Sequence, residues 1–250
     1  MTNKIDLNAF AEAAISYINC LEENQLDNIK KASDVLSASI AAGGVIQVFG
    51  SGHSWGFGIE LSKKAGTLVP VHVIQTSDFV SKGLVSLEEF KDKVNIFERK
   101  PNMANRLYDL YDIRPEDAFI IISNSGINGL VIDMAIKARE KNHPVIVITS
   151  MEHTLAEDSR HPSGKKLYQL GDIVIDNCGP QGDAILESGD LGKVCSISSI
   201  TGGVIAHLLT ENITLKLLKN NQEIPVLRYP NDENAEKINS DLFKKYEGRV

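Results

Sequence analysis

The chain has 250 residues, of which 42% are apolar and 24% charged, and these values are ordinary for a globular protein. Its formal net charge of −7 disfavours nucleic acid and anionic membranes as partners, because both repel an acidic surface. No apolar run approaches the roughly 18 residues of a membrane-spanning helix, and the N-terminus lacks a signal-peptide pattern, so we expect a cytoplasmic protein. An anionic metabolite stays possible, since backbone N–H groups bind anions without net positive charge.

The chain begins with a helical pattern. Apolar residues recur at helical spacing over positions 7–42, which predicts two helices, or one helix that bends near positions 22–28. Gly43 and Gly44 follow the pattern, and glycine is common just past the end of a helix.

Strand and helix patterns then alternate. Short runs rich in β-branched residues predict strands at positions 45–49, 68–74, 118–123, 144–149 and 172–176. Helical patterns lie between several of these runs, at positions 55–65, 129–141 and 201–218. Apolar strands that alternate with helices indicate a parallel sheet covered on both faces. Because ligands bind beyond the carboxyl ends of such strands, we look for function in the loops there.

Two polar excursions interrupt the alternation. Positions 76–114 are too long for a simple connection and predict a helix at 102–111 within a lid-like segment. Positions 150–170 form a second excursion, and the tail at 230–250 either wraps a neighbour or is loosely ordered. The second excursion is either a basic lid over an anionic ligand or a solvated loop, and its basic residues are His153, Arg160, His161, Lys165 and Lys166.

The loop after the first strand contains Ser51, Gly52, His53 and Ser54. Its glycines allow close backbone approach to a ligand and its serines can donate hydrogen bonds, so it is a connector, a dinucleotide loop or a phosphate cradle. A dinucleotide loop needs G-x-G-x-x-G, but Trp55 stands where the third glycine is required. No phosphate-binding G-x-x-x-x-G-K-[ST] sequence occurs either, so we expect no nucleotide cofactor. His53 is either a ligand contact or an ordinary loop histidine.

The loop after the third strand repeats this layout. It contains Ser123, Asn124, Ser125, Gly126 and Asn128, and a helix pattern follows. Short polar side chains at the start of a helix favour phosphate, which the helix N–H groups also attract.

A third hydroxyl-rich loop precedes the last long helix and contains Ser198, Ser199 and Thr201. It is either a helix cap or a ligand loop. Three such helix starts in one α/β fold favour a phosphomonoester held by hydroxyl and backbone groups. Asp176 and Asp183, after the fifth strand, are either acceptors for sugar hydroxyls or turn residues. The histidines show no zinc-binding spacing, so we expect no metal.

The strand–"GSGHS"–helix and strand–"SNSG"–helix pair resembles the SIS (sugar isomerase) domain family of phosphosugar-binding proteins. The stretches "SNSGINGLVIDMAIKARE", "SRHPSGKKLYQLGDIVIDNCGPQGDA" and "LRYPNDEN" are similar to a branch of single-domain bacterial proteins described as uncharacterised or as phosphosugar isomerases. The resemblance covers roughly positions 36–218 and implies one domain over 1–250. The implied fold is a three-layer α/β/α sandwich with a five-stranded parallel sheet, assembled as a homodimer or homotetramer with sites near subunit interfaces.

The resemblance also implies site residues. It assigns phosphate binding to Ser123, Ser125 and Asn128, and it places Ser54 on the sugar side. Phosphoheptose isomerases of the family carry a glutamate on the first helix and a histidine on the last, which correspond here to Glu60 and His207.

Aldose–ketose isomerisation needs a base next to the carbonyl, and Glu60 is the candidate. The other interpretations are an exposed helix carboxylate for Glu60 and a core or interface histidine for His207. An amino-sugar phosphate lyase, such as an etherase, and a non-catalytic phosphosugar sensor are the alternative functions.

Overall fold

Parallel strands form the centre of the molecule, and they correspond to the five apolar runs predicted from the sequence. The computed structural model describes residues 5–100 and 102–250. The main sheet has the order β2-β1-β3-β4-β5, with strands β1 (Ile46–Gly50), β2 (Val71–Ile74), β3 (Ala118–Ile122), β4 (Val145–Thr149) and β5 (Ile173–Asp176). Each neighbouring pair is parallel, which confirms the predicted α/β class with a five-stranded parallel sheet.

Helices cover both faces of this sheet. The described α-helices are α1 (Ala9–Ala41), α2 (Gly56–Leu61), α3 (Asp78–Ser81), α4 (Leu87–Phe90), α5 (Ala104–Tyr108), α6 (Gly129–Glu140), α7 (Met151–Ala156), α8 (Ser198–Lys219) and α9 (Ala235–Lys245). Successive strand side chains enter opposite layers, since the side-chain period of a strand is two. In β3, Ile120 packs with α1, α2 and α8, whereas Phe119 packs with α5 and α6. This arrangement is the predicted three-layer sandwich.

The N-terminal region is one continuous helix rather than two helices. Helix α1 runs for 33 residues, and no proline or glycine interrupts it. The polar stretch at 22–28 lies mostly on its exposed side, while the Gln25 carboxamide oxygen accepts a hydrogen bond from the Asp176 amide at 3.1 Å. The polar stretch therefore reflects solvent exposure and a contact with β5, not a break. Within residues 5–100 and 102–250, neither α1 nor any other helix combines the length and apolarity needed to cross a bilayer.

The first excursion is a packed segment. It contains α3, α4, a short 3₁₀ helix at Phe97–Arg99 and α5, which is the shorter form of the helix predicted at 102–111. Phe79 and Phe97 are buried, and their ring centroids lie 4.8 Å apart in an edge-to-face arrangement. These aromatic contacts join the excursion to the layer that contains α6.

An unpredicted hairpin follows β5. Its strands, β6 (Ala184–Glu187) and β7 (Lys193–Ser196), pair antiparallel, and Ile185 and Leu186 pack on Ala13 and Ala14 of α1. All four residues of β7 are exposed. Because neither face of this strand is buried, its sequence lacks the alternation of apolar and polar residues that predicts a strand.

The polar tail contains an ordered helix, α9. The expectation of a loosely ordered tail is therefore wrong. Leu242 and Tyr246, four residues apart at the C-terminal end of α9, pack on Val45 and Val69. Most other tail residues are exposed, and for that reason the tail has a polar composition although one stripe of its helix is apolar.

A buried ion pair attaches the end of this tail to the sheet. The Arg249 Nη2 atom lies 2.6 and 2.8 Å from the two carboxylate oxygens of Asp117, and the two side chains are 5% and 0% exposed. Asp117 also accepts hydrogen bonds from the Val45 amide and from the Gln47 Nε2 atom, each at 2.9 Å. Arg249, near the end of the chain, is therefore held by an ion pair to Asp117, which lies just before β3 and is hydrogen-bonded to the start of β1.

We predict that Arg249→Ala destabilises the fold by about 3 kcal/mol, because it leaves the buried Asp117 carboxylate without its charge partner. Arg114→Ala is the matched control, since Arg114 pairs with Asp112 at 2.7 Å but both side chains are about half exposed. Urea unfolding followed by circular dichroism gives both free energies of unfolding. Equal losses in the two variants would contradict the structural role assigned to the tail.

Candidate functional site

The order of the strands places two of the predicted loops side by side. The chain goes from β1 to β2 on one side and then crosses to β3 on the other, so β1 and β3 are neighbours whose connections leave in opposite directions. A ligand crevice forms at such a switch point. The first loop follows β1 and the second loop follows β3, and both therefore open into this crevice.

A cavity of about 320 Å³ lies at this point. Residues of all three predicted loops line it, and those proposed from the sequence are His53, Ser54, Asn124, Ser198 and Ser199. Glu60, the predicted base, also lines it. The sequence did not indicate the remaining wall, which includes Phe57, Ile122 and Asn177.

The first loop is a tight turn that favours glycine at two positions. A Cβ atom on Gly50 would lie 2.8 Å from the Ser54 carbonyl oxygen, and Gly52 has a φ of 56°. Ser51 is buried, so Ser51 and Gly52 shape the turn, whereas His53 and Ser54 face the cavity.

The first excursion contacts this turn. A Cβ atom on Gly52 would lie 3.1 Å from a carboxylate oxygen of Glu98, which belongs to the 3₁₀ helix at Phe97–Arg99. The carbonyl oxygen of Arg99 lies 3.0 Å from the position of a Cβ atom on Gly129, at the start of α6. A carboxylate thus lies next to the first glycine loop, which sequence reasoning missed because only the packing of Phe97 brings it there.

Two hydrogen bonds from the second excursion fix the direction of the second loop. The Leu167 amide donates to the Gly126 carbonyl oxygen at 2.8 Å, and the Arg160 amide donates to the Ile127 carbonyl oxygen at 2.9 Å. In a trans peptide the C=O and the following N–H point in opposite directions. The amides of Ile127 and Asn128 therefore point away from the excursion.

Three N–H groups of this loop have no acceptor among the described residues; Ser125 and Asn128 are partly exposed, whereas Ile127 is 1% exposed. They are the backbone N–H groups of these three residues, and within the described residues the Ser125 hydroxyl has no partner either. Helix α6 begins at the next residue and adds the partial positive charge of its N-terminus. Consecutive free amides at a helix start form an anion-binding nest.

The other side chains of the second loop maintain its shape. The buried Ser123 hydroxyl oxygen accepts a hydrogen bond from the Gly126 amide at 3.1 Å, inside the turn. The Asn124 carboxamide oxygen accepts one from the Asn177 Nδ2 atom at 2.8 Å, which connects the second loop to the loop after β5. Asn124 lines the cavity and directly precedes Ser125 in the chain. The turn that contains the unpaired backbone N–H groups therefore begins at the cavity wall.

The third loop forms the first turn of α8, and Asp183, from outside this loop, accepts the hydrogen bonds of its first amides. The Asp183 carboxylate accepts hydrogen bonds from the Ser198 hydroxyl at 2.6 Å and from the Ser198 amide at 2.8 Å, and it also lines the cavity. Thr201, a predicted ligand residue, is fully buried and donates to the Ile197 and Ser198 carbonyls at 3.4 Å, so it does not face the cavity. Asp176 is the last residue of β5, and its carboxylate accepts hydrogen bonds from the Met151 and Cys178 amides in the loops that follow β4 and β5.

The structure brings Glu60 and His207 together. The His207 Nε2 atom lies 3.8 Å from a carboxylate oxygen of Glu60, and Lys64 contacts the same oxygen. The hydrogen bond from Lys64, together with the positive charges of Lys64 and His207, lowers the pKa of Glu60. The Glu60 carboxylate is therefore ionised, and its contact with Lys64 makes it a weaker base than an unpaired glutamate. The His207 side chain is 61% exposed, which excludes the core-histidine interpretation in this chain.

Comparison with known proteins agrees with this architecture. The family model of the SIS domain matches residues 9–150. The chain belongs to the SIS domain family. Relatives that match almost the whole chain include a UPF0309 protein of Geobacillus kaustophilus, 34% identical over 98% of this chain and 95% of the relative. Another is a UPF0309 protein of Caldanaerobacter subterraneus, 36% identical over 98% of each chain.

Solved structures show the same SIS fold at low sequence identity. A phosphoheptose isomerase from Francisella tularensis has a TM-score of 0.54 at 16% identity, and the match covers 82% of this chain and 95% of that one. The Vibrio vulnificus NanR protein, solved with ManNAc-6P, has a TM-score of 0.50 at 14% identity, over 84% of this chain and 62% of that one.

We predict that Gly126→Ala destabilises the SIS fold by about 1–3 kcal/mol more than Gly164→Ala does, because only the first variant also creates a steric clash. Both glycines have φ above 60°, so the backbone strain is matched. A Cβ atom on Gly126 would lie 2.9 Å from the Thr154 and 3.0 Å from the Thr149 hydroxyl oxygen, whereas nothing lies within 4 Å of one on Gly164. Thermal unfolding measures the difference, and equal melting temperatures would contradict the close packing of the second loop.

Proposed function

We propose that this SIS-domain protein binds a phosphorylated sugar or amino sugar, with the phosphate on the second loop and the sugar in the adjacent cavity. The observation that carries the proposal is the pair of Ile127 and Asn128 amides, which face away from the second excursion and have no acceptor in the described residues. The Ser125 hydroxyl and the start of α6 add a donor and a favourable dipole.

The cavity supports a small polar ligand. Its volume of about 320 Å³ lies at the lower end of the range typical of small-molecule sites. Ser54, Asp183 and Asn177 offer acceptors and donors for sugar hydroxyls, and Phe57 provides an apolar surface. The SIS-fold NanR protein was solved with ManNAc-6P, which is a phosphorylated amino sugar.

We further propose aldose–ketose isomerisation as the activity, with Glu60 as the base. The Glu60 carboxylate takes the proton from the carbon next to the carbonyl, and the resulting enediol receives it back on the neighbouring carbon. We assign the exchange of the hydroxyl protons in that step to His207, because its Nε2 atom lies 3.8 Å from a carboxylate oxygen of Glu60.

The proposal extends to assembly and location. The exposed apolar side chains of Trp55 and Ile59, 44% and 46% exposed, lie on the first loop and α2 beside the cavity. Their exposure supports a homodimer or homotetramer that covers them. We place the protein in the cytoplasm.

We predict that sugar phosphates raise the melting temperature, whereas the same sugars without phosphate do not. A panel of hexose, hexosamine, heptose and muramic acid phosphates with their free sugars makes this comparison. Ser125→Ala removes a donor to a charged group and should weaken binding about tenfold. Ser240→Ala, on the exposed side of α9, is the control and should bind like the wild type. Equal stabilisation by phosphorylated and free sugars would refute phosphate binding.

We predict that the wild type, in deuterated water, exchanges the hydrogen next to the carbonyl of any sugar phosphate that it binds, because the enediol reprotonates from solvent. Glu60→Gln should keep binding and stop the exchange, while Glu211→Gln, on an exposed part of α8, should keep both. Nuclear magnetic resonance of the sugar measures the exchange. Binding without exchange by the wild type would identify a sensor instead, and exchange followed by loss of a side group would identify the lyase.

A further inference from the structure

One cation of the second excursion is directed at the start of α6. The Arg160 Nη1 atom donates a hydrogen bond to the Asn128 carboxamide oxygen at 3.0 Å, and Asn128 is the residue immediately before the helix. This guanidinium therefore lies at the Asn128 side chain, next to the N-terminus of α6.

The excursion is held firmly in this position. Next to Arg160, the His161 Nε2 atom lies 2.9 Å from an Asp133 carboxylate oxygen, and both side chains are less than 10% exposed. The other Asp133 oxygen accepts a hydrogen bond from the Asn102 amide. Asp133 thereby joins both excursions to the second turn of α6.

The other cations of this excursion have different environments. The Lys166 Nζ atom donates to the Thr154 carbonyl oxygen at 2.7 Å, and Lys165 is exposed with no side-chain hydrogen bond among the described residues. Over positions 150–170, all of which are described, Arg160 is the cation whose side chain contacts the second loop.

The contact also orients Asn128. When its carboxamide oxygen accepts from Arg160, the Nδ2 group keeps both of its donors for another acceptor. Arginine presents a planar fork of donors that matches phosphate oxygens, so it can bind Asn128 with one nitrogen and an anion with another.

We propose that Arg160 is the charge partner of the phosphate and that it orients the Asn128 side-chain carboxamide toward the phosphate. This inference rests on the proposed phosphate-binding function. The amides and hydroxyls of the second loop carry no formal charge, and the Glu98 carboxylate lies beside the neighbouring loop. A guanidinium at Asn128 supplies the positive charge that the hydroxyl-rich loops lack.

The test uses inorganic phosphate and the full chain, with the fluorescence of Trp55, the single tryptophan, as the signal and calorimetry as a second measurement. Arg160→Gln keeps a donor for Asn128 but loses the charge, and should raise the phosphate dissociation constant about tenfold or more. Arg160→Lys should lose less, and Lys165→Gln, which removes the same charge from the same excursion, should bind like the wild type.

Salt dependence separates charge from positioning. Added sodium chloride should weaken phosphate binding less in Arg160→Gln than in the wild type, because a screened attraction has been removed. An unchanged salt dependence, with weaker binding, would mean that Arg160 only positions Asn128 and would overturn the charge assignment. Wild-type binding by Arg160→Gln, with weakened binding by Ser125→Ala, would overturn this inference and leave the proposed function intact. No phosphate binding by the wild type would overturn both.

Discussion

The hydrogen bonds from the Leu167 and Arg160 amides to the carbonyls of Gly126 and Ile127 determine what the site can do. A loop of this composition has many possible directions, and its amides bind an anion only if they are turned toward it. Because these carbonyls are bonded to the second excursion, the N–H groups on the other side of the same peptides are presented together. The excursion at 150–170 is therefore part of the site, although much of it lies on the surface.

The sheet provides the frame for this loop. The strand order places β1 next to β3, and every residue of both strands is buried, so their ends are fixed relative to each other. The cavity, with His53 and Ser54 from one loop and Asn124 from the next, lies between these ends. The proposed separation of tasks rests on this geometry, with the phosphate at the backbone amides before α6 and the sugar at the side chains of the crevice.

Local patterns in the sequence predict most of the fold and several of the residues that line the cavity, since strand burial and hydroxyl-rich helix starts are encoded within a few residues. Contacts between distant segments are not encoded in this way. Glu98 reaches Gly52 only because Phe97 is packed in the core, and Arg249 reaches Asp117 from the far end of the chain. Thr201 shows the reverse case, in which a local pattern predicts a ligand contact that the packing does not support. Its hydroxyl donates to the Ile197 carbonyl at the start of its own helix and does not face the cavity.

The central claim is that the backbone amides of Ile127 and Asn128 bind the phosphate. Amide chemical shifts of the nitrogen-15-labelled chain, recorded during titration with a sugar phosphate that stabilises the protein, test it most directly. We predict downfield proton shifts for these two amides, with little change at Gly164, whose amide is bonded to the His161 carbonyl inside the excursion. Binding that shifts other amides but leaves Ile127 and Asn128 unchanged would contradict the account.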